Sequence, residues 1–196
     1  MNLRPLHKKE SKYKKLLPIL IGIFIISIMV LSVLDINKNK ENEVKYNDHK
    51  FVKIGNRWTT YINNNKITVA YLPKDVENIN VDVSYGDLSY ATKIYLSYNP
   101  EQALLTPVQE LMLNKNIIGI AQQFVLACPS DNELCKSENL PIKACRDASD
   151  STGVVLFELA NNTNIEFNNN CLQLTGTPEE ITKIIDKLTL KRLGII

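Results

Sequence analysis

Hydrophobic and polar positions divide the 196-residue chain into stretches of different grammar. Leu16 to Leu34 (LLPILIGIFIISIMVLSVL) carries no charge at all. As a helix it would reach about 28 Å, close to the hydrocarbon thickness of a bilayer. It lacks the polar face that a soluble helix keeps, and Pro18 falls in its first turn, where a missing N–H costs little. The pattern predicts an uncleaved transmembrane helix over residues 16–34, because the apolar run is longer than a signal-peptide core and no A-x-A-like site follows it. Residues 35–50 are polar and predict a tether.

From Phe51 the pattern shortens to strand-like runs. Trp58 to Ile62 and Ile67 to Leu72 are rich in β-branched and aromatic residues. The Asn63-Asn64-Asn65-Lys66 segment between them supplies turn chemistry, so a hairpin is expected. Ile79 to Val83 and Lys93 to Tyr98 alternate as half-buried strands do. Phe124 to Cys128 fits a buried strand and, nearly as well, a continuation of the preceding helix, and Ser130 to Asn139 predicts a polar turn region. Pro141 to Cys145 predicts a short edge strand, and Gly153 to Leu159 a central one. Asn164 to Phe167 and Cys171 to Leu174, separated by asparagines, continue it as a meander.

Two segments share a helix-start signature. Thr106-Pro107-Val108-Gln109 and Thr177-Pro178-Glu179-Glu180 both place Thr at the N-cap, Pro at the first helical position and Gln or Glu at the third. After the second, Ile181, Ile184, Ile185 and Leu188 form one apolar stripe. Lys187, Lys191 and Arg192 complement the dipole at its end, and Gly194 stands where a C-terminal cap belongs. The expected architecture is an α+β domain over residues 51–196, a mixed β-sheet with about two amphipathic helices. Residues 51–98 are its β-rich part and 99–196 its helix-strand-helix part.

Composition changes the picture in two places. Asn and Ile number 22 each and Lys 19, an excess that AT-rich codons would produce. The asparagine runs are accordingly expected to fill turns, since Asn tolerates left-handed backbone. The net charge of +2 is a sum over two sides of a membrane. Residues 1–15 carry +5 and residues 16–196 carry −3. The positive-inside rule then puts the basic tail in the cytoplasm and the mildly acidic remainder outside.

The four cysteines, Cys128, Cys135, Cys145 and Cys171, all lie in that outer part. An even count beyond an oxidising boundary predicts two disulfides. Three pairings are possible, and Cys128–Cys135 with Cys145–Cys171 is favoured because the first closes a loop of turn residues. Zinc knuckles and redox pairs need C-x2–4-C or C-x-x-C spacing, which is absent, so no metal is expected there.

Catalytic chemistry is hard to find. His7 and His49, the two histidines, lie outside the expected folded region, which removes Ser-His-Asp and Cys-His systems. No phosphate-cradling glycine motif occurs, and no basic patch with interleaved aromatics suggests nucleic acid. No cofactor is expected. The acid pairs Asp75/Glu77, Asp147/Asp150 and Glu179/Glu180 remain, of which Asp147/Asp150 sits in an oxygen-rich RDASDSTG turn without EF-hand spacing. Trp58, Tyr61 and Tyr71 could line a ligand-facing aromatic surface, although cross-strand packing explains them as well. Asn161-Asn162-Thr163 is an N-x-T sequon, making Asn161 a glycosylation candidate.

Ala127-Cys128, the LPIKAC run from Leu140 to Cys145, Asn170-Cys171 with its following strand and the terminal Leu193 to Ile195 resemble a group of uncharacterised single-span archaeal surface proteins of small-genome lineages. Tyr71 to Val81 and Ile94 to Pro100 are similar too. The resemblance implies one N-terminal span and a disulfide-containing extracytoplasmic α+β domain, and no activity. Together the readings point to a membrane-anchored, extracytoplasmic binding or scaffolding module at the cell surface, in contact with the bilayer and with a protein or surface polymer. A small surface hydrolase using Asp/Glu pairs, or an accessory subunit of a membrane complex, is the alternative.

Overall fold

The computed structural model describes residues 13–38, 42–81, 88, 90–115 and 123–196. The chain divides into two compact units, Met1–Glu43 and Val44–Ile196.

The first unit carries helix α1 (Tyr13–Lys38). Its described side chains, residues 18–31, include a nearly unbroken set of exposed large apolar groups, Ile19 to Leu31. Ser27 interrupts them but donates its hydroxyl to the Ile23 carbonyl at 2.9 Å, so it presents no free donor. Among the described residues no helix is long and apolar enough to cross a membrane. The span expected at 16–34 runs past those described side chains at both ends.

The second unit holds two sheets. The first has the order β1-β2-β3-β4, with β1 (Glu43–Tyr46), β2 (His49–Ile54), β3 (Arg57–Ile62) and β4 (Asn65–Val69). Residues 35–50 therefore do not form a continuous tether: α1 runs to Lys38 and pairing begins at Glu43. Glu43 to Tyr46 alternates in exposure, the pattern of a strand with one face packed, which a purely compositional reading of a polar stretch overlooks. The expected hairpin forms between β3 and β4, with Ile62 paired to Asn65. Its turn is only Asn63-Asn64, both left-handed at φ 49° and 64°, as a type I′ turn requires.

Helix α2 (Pro73–Val76) follows. The strand expected at Ile79–Val83 is not formed over its described residues 79–81, and positions 82 and 83 lie outside the description. The Ile79 N–H bonds to the Val76 carbonyl as the chain unwinds from α2. Val81 is buried and Ile79 packs beside it, which gives the alternation its apolar positions without a ladder.

The second sheet is mixed, with order β6-β5-β7-β9-β8. Strands β5 (Lys93–Ser97), β6 (Gln123–Ala127), β7 (Thr152–Leu159) and β9 (Cys171–Gly176) run parallel, and β8 (Asn164–Asn168) pairs antiparallel with β9 at the edge. The expected meander is thereby corrected, because β9 lies between β7 and β8. The reason is burial: β9 is largely buried on both faces, whereas β8 alternates exposed and half-buried positions and suits an edge. Pro141–Cys145 contributes a single bridge, Cys128 to Ile142, and no strand. Ser130–Asn139 contains a short helix, α4 (Glu133–Ser137), capped by the Asn132 side chain on the Cys135 N–H.

Helices α3 (Leu105–Leu113) and α5 (Pro178–Arg192) pack on each other and on one face of this sheet, around Ile94, Leu96, Phe157, Leu172, Leu174 and the α5 stripe. The capping box of α5 forms as expected: the Glu180 N–H donates to Thr177 Oγ1 and the Glu180 carboxylate accepts from the Thr177 N–H. The one at Thr106 does not form. Buried Leu104 is the N-cap of α3, so the helix starts earlier and Pro107 occupies its third position, still within the turn that needs no N–H partner. A second core, Phe51, Val69, Leu72, Val76, Leu190 and Ile195, joins the first sheet to α2 and the end of α5.

Candidate functional site

The four parallel strands of the second sheet expose different chemistry at their two ends. At the C-terminal end the Ser97 hydroxyl donates to the Lys143 carbonyl, and Asn132 Nδ2 donates to Asn99 Oδ1. The Cys128–Cys135 disulfide closes the same region. At the N-terminal end lies an open cleft of about 700 Å³, a volume within the range of small-ligand sites.

Three chain segments wall this cavity, each leading into a parallel strand. Tyr90 precedes β5, Ser149 and Asp150 precede β7, and Asn169 and Asn170 precede β9. Phe167 adds a half-buried ring from β8. Ser149 and Thr152 exchange backbone hydrogen bonds (2.9 and 3.1 Å), placing Asp150 at the tip of a tight turn. The Ser151 carbonyl of that turn accepts from the Thr92 N–H and hydroxyl, and the Ser149 carbonyl accepts from Asn170 Nδ2 at 2.7 Å. Asn169 and Asn170 take φ of 48° and 59°, the left-handed pair of a two-residue hairpin turn. The Cys145–Cys171 disulfide, with Cα atoms 5.2 Å apart, joins the segment before Ala148 to the residue after Asn170. Two walls of the cavity are thus covalently braced.

A second arrangement is sealed from solvent. Glu110 on α3 and Asp186 on α5 are both 0% exposed. Asp186 Oδ2 accepts the backbone N–H groups of Ala70 (2.9 Å) and Tyr71 (2.8 Å), at the end of β4. Glu110 Oε2 pairs with Arg57 of β3, and Asn114 Nδ2 donates to the Thr68 carbonyl at 2.9 Å. Burial pushes the Asp186 carboxyl well above the usual carboxylate range, the adjacent Glu110 charge adds to this, and the two backbone donors oppose it. Asp186 Oδ1 is buried with no hydrogen-bond partner among the described residues. These acids can hold a proton and tie the two sheets together, but a substrate cannot reach them.

The residues singled out from sequence are placed as follows. The disulfides are Cys128–Cys135 and Cys145–Cys171. Trp58 and Tyr61, three apart on β3, point to opposite faces; Trp58 packs into the second core under Lys53, and Tyr61 is 68% exposed. Tyr71 lies beneath the Lys183 ammonium, so the three rings do not converge. Asn161 is exposed between β7 and β8. Each acid pair has local duties. Asp75 accepts the Leu72 N–H and Glu77 the Tyr46 hydroxyl; Asp147 caps its own turn at the Ala144 N–H, away from Asp150. Glu179 pairs with Lys183, while Glu180 caps α5 and is held below its ordinary pKa by that bond to Thr177. Among the described residues no group of three or more potential metal ligands occurs.

Tyr90 and Phe167, and the Glu110–Asp186 pair, carried no sequence signal strong enough to select them. Asp186 sits between Ile185 and Leu188 of the α5 apolar stripe, where a charge on the buried side of a helix needs a partner. No protein-family model, curated protein or solved structure matches the chain.

Proposed function

We propose that the chain is a single-span, membrane-anchored module whose folded unit faces an oxidising, extracytoplasmic compartment and binds a partner there without catalysis. The observation that carries this reading is the consumption of all four cysteines in two disulfides of the folded unit. Such crosslinks persist where thiols are not kept reduced. The all-round apolar surface of α1 supports an apolar surrounding for it, and the +5 charge of residues 1–15 supports a cytoplasmic tail. The resemblance to archaeal surface proteins points the same way. The sealing of the Glu110–Asp186 pair weighs against a hydrolase, because a general acid must reach its substrate.

Topology tests this. With a C-terminal epitope on the full chain, alkaline carbonate should leave the protein in the membrane pellet, and protease added to intact cells should remove the epitope. Thiol labelling of the denatured, unreduced protein should find no free cysteine. Release by carbonate, protection of the epitope, or labelled thiols would each overturn the proposal.

A further inference from the structure

Resting on that reading of an outward-facing binding module, we propose that the cavity at the N-terminal edge of the parallel strands binds a neutral sugar unit. The chemistry of its walls narrows the ligand class. The charge lining it among the described residues is one carboxylate, Asp150, with no basic group, so an anionic ligand such as a phosphate or an acidic glycan finds no counter-charge. One carboxylate is too few for a calcium site, which takes six to eight oxygen ligands and more than one acid as a rule. A carboxylate, the Asn169 amide and a hydroxyl are too polar a lining for a lipid chain, since each would be buried without a partner.

A neutral polyol answers all these groups at once. Its hydroxyls donate to the Asp150 carboxylate, which only accepts, and they exchange donor and acceptor roles with the Asn169 amide and the Ser149 hydroxyl. The C–H faces of the same ring need an apolar platform. Tyr90, 79% exposed, and Phe167 supply it from opposite segments. The Asn170 amide is already committed to the Ser149 carbonyl, so its part is to hold the wall. Sugars offer little net energy per hydrogen bond, because each replaces one to water. Useful affinity therefore requires a pocket that is ordered beforehand. The Cys145–Cys171 bridge, the Asn170–Ser149 bond and the clamp on the Ser151 carbonyl provide that order.

The test uses the full chain in lipid nanodiscs, free of glycoside detergents and with a chelator present. The probes are glucose, mannose and N-acetylglucosamine, each as monomer and as neutral oligomer. Saturation-transfer NMR should show ring protons of at least one probe receiving magnetisation, and calorimetric titration should give its dissociation constant. Preference for monomers identifies a free sugar as the ligand; preference for oligomers identifies a surface polymer. Tyr90→Ala and Asp150→Ala should each weaken binding at least tenfold while Tyr90→Phe keeps it, and both sites are exposed enough for the variants to fold. Reduction of the disulfides should also abolish it. No transfer to any probe, or binding that survives Tyr90→Ala and Asp150→Ala, would overturn the sugar site. A failure here with normal membrane topology leaves the anchored-module reading standing, and abnormal topology fails that reading whatever the sugar result.

Discussion

Asp186 and Glu110, carboxyl groups on neighbouring helices, share one solvent-free site in which Asp186 Oδ1 has no hydrogen-bond partner among the described residues. The groups around the pair are Arg57 from β3, the Ala70 and Tyr71 N–H groups with the Tyr71 phenol, and Asn114 on α3; Lys183 and Glu179 of α5 act on that phenol. Arg57 is committed to Glu110, so Asp186 meets a negative neighbour in a medium that penalises its own ionisation. The fold thus favours the protonated form more than solvent does.

The pH dependence follows with a definite sign. An unfolded aspartate ionises near pH 4, whereas Asp186 in the fold keeps its proton to higher pH. Between those two values the native state binds more protons, so stability falls as pH rises from about 4 through the folded pKa. Asp186→Asn imitates the protonated acid: its oxygen accepts from Ala70 and Tyr71, and its amide donates toward Glu110. Urea midpoints measured from pH 4 to 8 should fall for the wild type and flatten for the variant, which becomes the more stable of the two near neutrality. Parallel curves would show that the pair does not share a proton. Asp186→Ala strands the two backbone donors and should cost about 1–3 kcal/mol for each at any pH.

The disulfides differ in what they close. Cys145–Cys171 spans 26 positions and Cys128–Cys135 only 7. On the loop-entropy model, removing the first as a Cys→Ser pair should cost about 3–4 kcal/mol and removing the second about 2–2.5 kcal/mol. Equilibrium unfolding of the two double variants gives the order directly. A larger loss at Cys128/Cys135 would mean that native packing around α4, and not chain entropy, sets the cost.

Turns and helix ends were legible in the sequence where one local rule decides the conformation. All six described non-glycine residues with positive φ are asparagines (Asn47, Asn63, Asn64, Asn139, Asn169 and Asn170), so turn chemistry was legible before any tertiary contact. The α5 cap, stripe and Gly194 stop were legible for the same reason. Strand order was not, because whether β9 or β8 takes the edge depends on which face of each meets α3 and α5. The cavity was least legible. Tyr90, Asp150, Phe167 and Asn169 come from four segments and meet only because three parallel strands begin at one edge. The acid pair had the same defect: nothing near Glu110 in sequence points to Asp186.

Gly153, near the start of β7, has a packing reason to be glycine. A Cβ there would stand 2.5 Å from Leu88 Cδ2, 3.1 Å from Ile94 Cγ1 and 3.4 Å from the Ala91 methyl. All three neighbours are buried, so none can swing into solvent. Gly153→Ala should destabilise the folded unit by about 1–3 kcal/mol through overpacking. Thermal unfolding measures it, and a trimmed partner, Leu88→Ala, should recover part of the loss in the double variant. A neutral Gly153→Ala would mean that Leu88 yields at little cost.

Two identical Thr-Pro beginnings give the sharpest test of the helix assignments. At Thr177 the hydroxyl accepts the Glu180 N–H and the Glu180 carboxylate returns the bond, so Thr177→Ala should cost about 1 kcal/mol, the usual value of an N-cap. At Thr106 the side chain is exposed inside the first turn of α3 and the N-cap is Leu104, without a side-chain bond. Thr106→Ala removes no cap and replaces a β-branched residue by the best helix former, so stability should stay level or rise by up to about 0.7 kcal/mol. Denaturant midpoints of the two variants should therefore move in different directions. Equal losses would place the N-cap of α3 at Thr106 after all, because only a hydroxyl bonded to the helix backbone makes that substitution costly.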